Sequence, residues 1–543
     1  MKRINNLLSI STGRLRKAFL VVAGMLSCVF VYSQQPDPTL AKLFQDSYKV
    51  VDAMRIKSPA VGAGIYLDAL AINVGNKPVA LAANGVGLYS LCIADAMYKK
   101  TGDAVNWDAN AEAKALQTIN EWIRLKDTPG AVNANGLFHR YLDPKDGSWV
   151  WVTEHSTIDN AIMAAGFLFC RNYFNKNEEI VSKTTTLLNS MDFTAAIPPS
   201  GNQMYMILDD NGAGSALTSP FNEYLVLAWF AKNSNSSFPR YERAQTYWDN
   251  VYSDPTKGVI PKYNYPACNP LISGGSGYAQ PSFHVQFAYY YCNYFSNNTS
   301  YMTYFANQLK ADQTWWQNTT SQQTAFGLGA GEIPGGGYSA DAVNHNPERI
   351  VSPHIMAGFS PVYPDVWRDL ISLYGSGTGS AVYKIPGTNI EFLWRYKYTA
   401  PAQRASYVQA VDFSTMVYGL AALPEFLGTD FFKTYNDFNF TTSVSSLDLD
   451  GGKEQLEIYP NPFSGHTTVR FELENKAKVK IEIYAENGQV IKQLVDRQMN
   501  AGRHSVKWNG KDESNAAVSP GTYLCRLSVD NRALQSKQML IVK

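Results

Sequence analysis

Apolar residues recur at spacings of three and four through most of residues 81–435, then alternate one by one after residue 452. The first period puts a side chain on a common helix face at every turn, and the second separates the two faces of a strand. The helical pattern predicts segments near 81–98, 107–125, 156–174, 176–191, 219–233, 239–252, 280–297 and 299–318, with less regular ones near 352–375 and 410–435. Many come as close pairs broken by Gly, Pro and Asn, and no strand–helix alternation intervenes. A run of antiparallel helical hairpins over residues 39–440 predicts a mainly α body, an α/α toroid of alternating inner and outer helices. A stacked helical solenoid is the rival, weakened because no fixed repeat period is visible.

Two flanking regions break this pattern. Residues 441–452 (TTSVSSLDLDGG) are small and polar, as a linker requires. From 453 to 543 short alternating segments such as VKIEIYA and TYLCRLSV are separated by turns at Asn487-Gly488, Asn509-Gly510 and Pro520-Gly521. They predict a small C-terminal Ig-like β-sandwich with nothing catalytic in it. At the other end, Lys2, Arg3, Arg14, Arg16 and Lys17 precede an apolar run from Ala18 to Tyr32. That order predicts a signal peptide over residues 1–33, cleaved near Ser33, with a lipid-attachment motif at Ser27-Cys28 as the alternative. No other stretch approaches the length of a membrane span, so none is expected in the mature protein.

Composition narrows the partners. Lys+Arg 47 against Asp+Glu 46 leaves a net charge of +1, which argues against nucleic acid. Aromatics at 13% with charged residues at only 17% suit stacking of flat neutral ligands, sugars first, or simply a large aromatic core. Cys28 would leave with the signal. Cys92, Cys170, Cys268, Cys292 and Cys525 form no metal-ligand spacing, and a Cys268–Cys292 bridge is left open.

Polar residues gather at the predicted starts of the inner helices. Ser219-Pro220, Gln280-Pro281-Ser282 and Ser352-Pro353 mark three such starts, with Glu223, His284, Gln286 and His354 within about a turn of them. Glu154 lies just ahead of the Ser156 helix, and Asp412 opens the last pair. Parallel inner helices would bring these five segments to one mouth. Each also has a plainer role. Ser156 and Asp159 have the spacing of a capping box, and Glu223 could simply complement a helix dipole. Glu154 follows the apolar stretch Trp149–Thr153, where an unpaired carboxyl would be costly and its pKa raised, unless it faces solvent. His139, His284 and His354 lack the spacing of a metal set and are expected in structural or sugar-binding roles. Two carboxyls across a cleft with Trp and Tyr are what glycosidic cleavage needs. No phosphate-binding loop and no nucleophile motif for acyl transfer stands out.

Several segments carry a resemblance. KPVALAANGVGLYSLCIADA (77–96), the run from Asn135 to Asp143 and the run from Thr153 to Ala161 resemble the glucoamylase-like family, which includes bacterial endo-β-1,2-glucanases. Pro220–Tyr224, Phe283–Gln286 and Phe326–Tyr338 follow its pattern too. The resemblance implies an (α/α)6 toroid and makes Glu154 and Glu223 the essential carboxylates, with no metal and no cofactor. Asp143, Asp146, Asp159 and Asp412 are possible helpers; His139, Trp149, Trp151, His284, Gln286, Tyr338 and Trp394 are candidates for substrate binding. The expected substrate is an oligo- or polysaccharide with β-glucan linkages, with a non-catalytic glycan-binding protein or a polysaccharide lyase as alternatives. Two departures fall near the substrate: Met204–Asp210 replaces a tryptophan-rich run, and His155 stands where a less polar residue is usual. The tail, through Tyr459-Pro460-Asn461-Pro462-Phe463, Gly521-Thr522-Tyr523 and its basic-ended last strand, resembles the type A sorting domain of the type IX secretion system. It implies export across the outer membrane, to the cell surface or beyond.

Overall fold

The computed structural model describes residues 36–541 apart from 58–62, 73–76, 152–153, 256–259, 276, 322–323, 376–380, 401, 441–455, 460, 462, 474–475, 486–489 and 530–531. The expected signal peptide and linker lie outside the described residues, as does the Asn487-Gly488 turn.

The large body is built from α1 (Pro38–Ala53), α2 (Leu81–Thr101), α3 (Ala111–Lys126), α4 (Thr157–Tyr173), α5 (Glu178–Ser190), α6 (Leu225–Lys232), α7 (Tyr241–Val251), α8 (Phe283–Tyr291), α9 (Asn293–Asn297), α10 (Thr299–Thr320), α11 (Pro353–Gly358), α12 (Val366–Gly375), α13 (Ala410–Ala421) and α14 (Asp430–Tyr435). Six of them, α2, α4, α6, α8, α11 and α13, each pack on the next, and α13 packs back on α2. That closed ring is the inner layer of an α/α toroid. The outer layer carries the amphipathic helices: α3 buries Ala111, Ala115, Ile119 and Trp122 on one stripe, whereas α2 is buried almost all round from Leu81 to Met97. Helix α1, which the apolar spacing did not predict, closes the ring from outside by packing on α2, α12 and α13.

Inner helices approach closely where side chains are smallest. A Cβ on Gly85 of α2 would lie 2.2 Å from the Ile162 carbonyl oxygen of α4, and one on Gly166 would lie 2.6 Å from the Gly85 Cα. On the far side of the ring, a Cβ on Gly419 of α13 would meet the Ala357 oxygen of α11 at 2.1 Å. The body core is continuous around the ring.

Helix ends differ from expectation for local reasons. The 219–233 segment becomes helical only at Leu225, because the Asn222 carboxamide accepts the Tyr224 N–H at 3.0 Å and holds a turn ahead of it. The 280–297 segment breaks at Cys292, whose backbone is extended. The 352–375 and 410–435 segments each divide into two helices. Short strands join the helices, the longest being the hairpin Met204–Leu208 with Gly214–Thr218. Cys268 and Cys292 are unbridged; the thiols that meet are Cys92 of α2 and Cys170 of α4, 3.4 Å apart. Among the described residues no helix is long and apolar enough to cross a membrane.

The C-terminal region forms its own sandwich from β1 (Glu457–Tyr459), β2 (Thr467–Leu473), β3 (Ala477–Ala485), β4 (Val490–Met499), β5 (Gly502–Trp508), β6 (Gly521–Val529) and β7 (Arg532–Ile541). One antiparallel sheet has the order β1-β2-β5 and the other β4-β3-β6-β7. Val469, Phe471, Ile481, Ile483, Trp508, Cys525 and Leu527 fill the space between them, which is why those strands alternate in sequence.

Candidate active site

The inner helices begin at one end of the ring, and the segments entering them set the charged groups there. Arg140 is the hub of the first group. Its Nη1 donates to Glu154 Oε1 at 3.1 Å, and its Nε lies 3.3 Å from Asp159 Oδ2. Glu154 is therefore not the unpaired carboxyl its apolar neighbours suggested. Its side chain is 30% exposed and paired with a guanidinium. Ser156 caps α4, its hydroxyl accepting the Asp159 N–H and donating to the Asp159 carboxylate, as the spacing predicts. Burial pushes the Asp159 carboxyl up, and the negative charges of Glu154 and Glu223 push the same way, against Arg140 and the Ser156 hydroxyl.

Glu223, in the turn ahead of α6, meets His284 from the first turn of α8, with Nε2 and Oε2 2.7 Å apart. Burial alone would raise this carboxyl. His284 and a backbone hydrogen bond outweigh it, so Glu223 is held below the ordinary carboxylate range. Asp412, in the first turn of α13, goes the other way: burial lifts it to about 7, despite Arg395 and a hydrogen bond from Tyr338. Asp68 joins the cluster unannounced by the sequence. Burial and the nearby Asp159 raise it to about 6, and its charge reaches Asp412. It precedes the short strand 69–71 that pairs with 407–409 at the start of α13, and a two-strand contact so distant in sequence leaves no periodic signal.

Tyr338 reaches the cluster from a hairpin. Gly335, Gly336 and Gly337 all adopt positive φ, letting the chain turn back so that the Tyr338 hydroxyl donates to both Asp412 oxygens, at 3.1 and 3.2 Å. Its hydroxyl is buried against Asp412, while the residue as a whole is 59% exposed. Fully buried Arg395 braces this hairpin, donating to the carbonyls of Gly329, Gly331 and Ser339 and pairing with Asp341. Around the rim, Trp149 and Trp151 are 50% and 67% exposed. Trp151 sits at φ +64, a conformation bulky residues rarely adopt, with its ring edge-on to Tyr141 at 5.3 Å.

Several of the expected site residues take other roles. Trp394 is fully buried, tilted against His354 and edge-on to Phe413, with its indole N–H on the Tyr407 carbonyl. Its neighbour Arg395, not singled out from the sequence, is the residue that acts on the site. Gln286 is buried, its amide donating to the Ile355 oxygen at 2.9 Å. Asp143 and Asp146 accept from the Lys145 and Ser148 N–H groups at 2.8 Å, shaping the turn that presents Trp149. His139 is buried between Trp149 and His155, and His354 binds the Ala330 oxygen, so neither shares a cluster with His284.

The ring of helices has known counterparts. No curated protein matches the chain. Residues 458–532 match the FlgD Ig-like domain. Among solved structures, the endo-β-1,2-glucanase of Chitinophaga pinensis, determined with sophorotriose and glucose, aligns at TM-score 0.56 and 15% identity over 74% of this chain and 97% of its own. A glucoamylase-like protein of Bacteroides uniformis aligns at TM-score 0.59 and 13% identity over 73% of this chain and 93% of its own. The endo-β-1,2-glucanase of Talaromyces funiculosus, determined as a mutant with β-1,2-glucan, aligns at TM-score 0.52 and 12% identity over 74% and 86%. The shared feature is the toroid fold.

Proposed function

We propose that this chain is an exported glycoside hydrolase that cleaves a β-linked glucan, with β-1,2-glucan the first linkage to test. The observation that carries the proposal is a pair of neighbouring environments that drive carboxyls in opposite directions. Glu223 is held ionised by His284, and Asp412 keeps its proton up to about 7. Carboxyls of unequal proton affinity around one cleft are the requirement of glycosidic hydrolysis. One gives its proton to the leaving glycosidic oxygen. The other takes a proton from the water whose oxygen bonds the anomeric carbon, or attacks that carbon itself. Glu154, oriented by Arg140, and Glu223 are the essential carboxylates in this reading, with Asp412 the third group able to exchange a proton near neutrality. Trp149, Trp151 and Tyr338 offer open ring faces for sugars. The solved toroids named above that bind or act on β-1,2-glucan support the linkage.

Export is supported by the N-terminal signal pattern and by the resemblance of the tail to a sorting domain, which point toward the type IX secretion machinery and the cell surface or medium. Reducing-end release by the mature protein from β-1,2-, β-1,3-, β-1,4-, β-1,6- and α-linked glucans tests the activity. Turnover on one β-linkage, lost in Glu154→Gln and Glu223→Gln, is expected. Wild-type turnover in both variants would sink the assignment, and an ultraviolet-absorbing unsaturated product would make the protein a lyase.

A further inference from the structure

We infer that His139, His155 and Asp210 form a binding site for a divalent cation of the zinc class, beside the putting-in-place of Glu154 rather than in the chemistry itself. One ligand atom from each of the three lies within 4.8 Å of the others, and this is the group of its kind found among the described residues. His155 Nε2 is 3.0 Å from Asp210 Oδ1. Two ligands of a tetrahedral ion bound at about 2.0–2.1 Å stand roughly 3.3 Å apart, so the pair is already near coordinating distance. The His139 and His155 ring centroids lie 4.0 Å apart, tilted by 34°, so a shared ion requires the two rings to part by roughly 1 Å and turn a nitrogen of each toward it.

Both imidazoles are buried, at 7% and 2% exposure, while the Asp210 side chain is 85% exposed. The site therefore has rigid walls and an open door. His155 faces Asp210 with Nε2, while its Nδ1, on the other side of the ring, is buried with no hydrogen-bond partner. Asp209 does not compete, because its carboxylate already accepts the Ala213 N–H that closes the hairpin turn. Two imidazoles, one carboxylate and a position left for water match the ligand set of zinc rather than of calcium or magnesium.

The three ligands come from three segments: the loop ahead of Arg140, the strand residue directly after Glu154, and the tip of the 204–218 hairpin. Sequence spacing could not reveal them, since the backbone pairing of His155 with Leu208 creates the cluster. An ion there would tie the Glu154 segment to the hairpin and fix the ring on which Trp149 stacks.

Titration of tag-free, chelator-treated mature protein with Zn²⁺, followed by calorimetry and thermal unfolding, tests this without any substrate and so independently of the glucanase reading. One equivalent bound, with a raised Tm, is expected. Asp210→Asn removes a ligand at an exposed position, so its metal-free Tm should equal that of the wild type while Zn²⁺ binds at least tenfold more weakly. His139→Asn should weaken binding likewise, and Co²⁺ in the wild-type site should show the visible absorption of a tetrahedral ion. The site is refuted if the wild type binds no stoichiometric Zn²⁺, or if Asp210→Asn binds it as tightly as the wild type.

Discussion

The two ends of the toroid use the same six helices for opposite purposes. At the end where the inner helices begin, carboxyls, an arginine and a histidine crowd together, and several are held away from their ordinary protonation. At the other end the ring is plugged by aromatic side chains. Phe169, Tyr290 and Tyr418 from the inner helices meet Phe431 and Phe432 of α14, and Tyr89 and Tyr291 pack behind them on Phe169 and Tyr418. Asn436 locks the plug by accepting from the Tyr89 hydroxyl and donating to the Tyr290 carbonyl. Helix N-termini favour negative charge, which helps explain why the acids sit at the first end. The contrast also divides the aromatic residues. Most of them make the plug and core, and only a few rings at the polar end remain open to a ligand.

The division can be broken most severely at the polar end. Glu154→Gln and Glu223→Gln should each lower kcat by roughly 10²–10⁴, with the circular dichroism spectrum kept; Tm should stay near that of the wild type in Glu154→Gln and fall in Glu223→Gln, which takes the charge from the His284 pair. Phe432→Ala, at the plug, should do the reverse. Removing a fully buried ring costs about 3–5 kcal/mol of stability, seen in chemical denaturation, while KM for the surviving folded enzyme stays the same.

Asp412 joins the two properties, because a site residue here affects stability. Folded, it takes its proton at about 7; unfolded, it does so near 4. The folded state binds the extra proton between these values, so stability falls as pH rises from about 4 to about 7. Asp412→Asn should abolish that fall and gain up to about 4 kcal/mol above pH 7, at about 1.4 kcal/mol per unit, while losing activity. Glu223 works in the opposite sense: its depressed value stabilises the fold above the usual carboxylate range, and that stabilisation is lost as the pH falls through it. The smallest effect is expected at the rim. Trp151→Ala removes an exposed ring, so KM should rise about tenfold, or about 1.4 kcal/mol, with kcat and Tm little changed.

How legible each end was in the sequence follows from its physics. The helices α2 to α5 and α10 stood out because their apolar stripes or runs are long and bounded by Gly, Asn or Pro. The short inner helices α6, α8 and α11 were drawn too long, since buried turns such as the one at Asn222 are as apolar as the helices beside them. Glu154, Glu223, His284 and Asp412 were legible because they sit at helix starts or in a recognisable segment. Asp68, Arg395 and the His155–Asp210 contact were not. They reach their places through pairings between distant strands, which no local spacing records. Trp394 and Gln286 were misjudged for the complementary reason: a tryptophan or a polar side chain near a helix start reads alike whether it lines a cleft or fills the wall behind it.

A crystal structure of Glu223→Gln with a β-1,2-gluco-oligosaccharide would test the central claim most directly. The account predicts sugars threaded across the polar end, over Trp149 and Trp151, with one glycosidic bond among Glu154, Gln at position 223 and Asp412. Sugar bound elsewhere on the molecule, with the polar end empty, would contradict it.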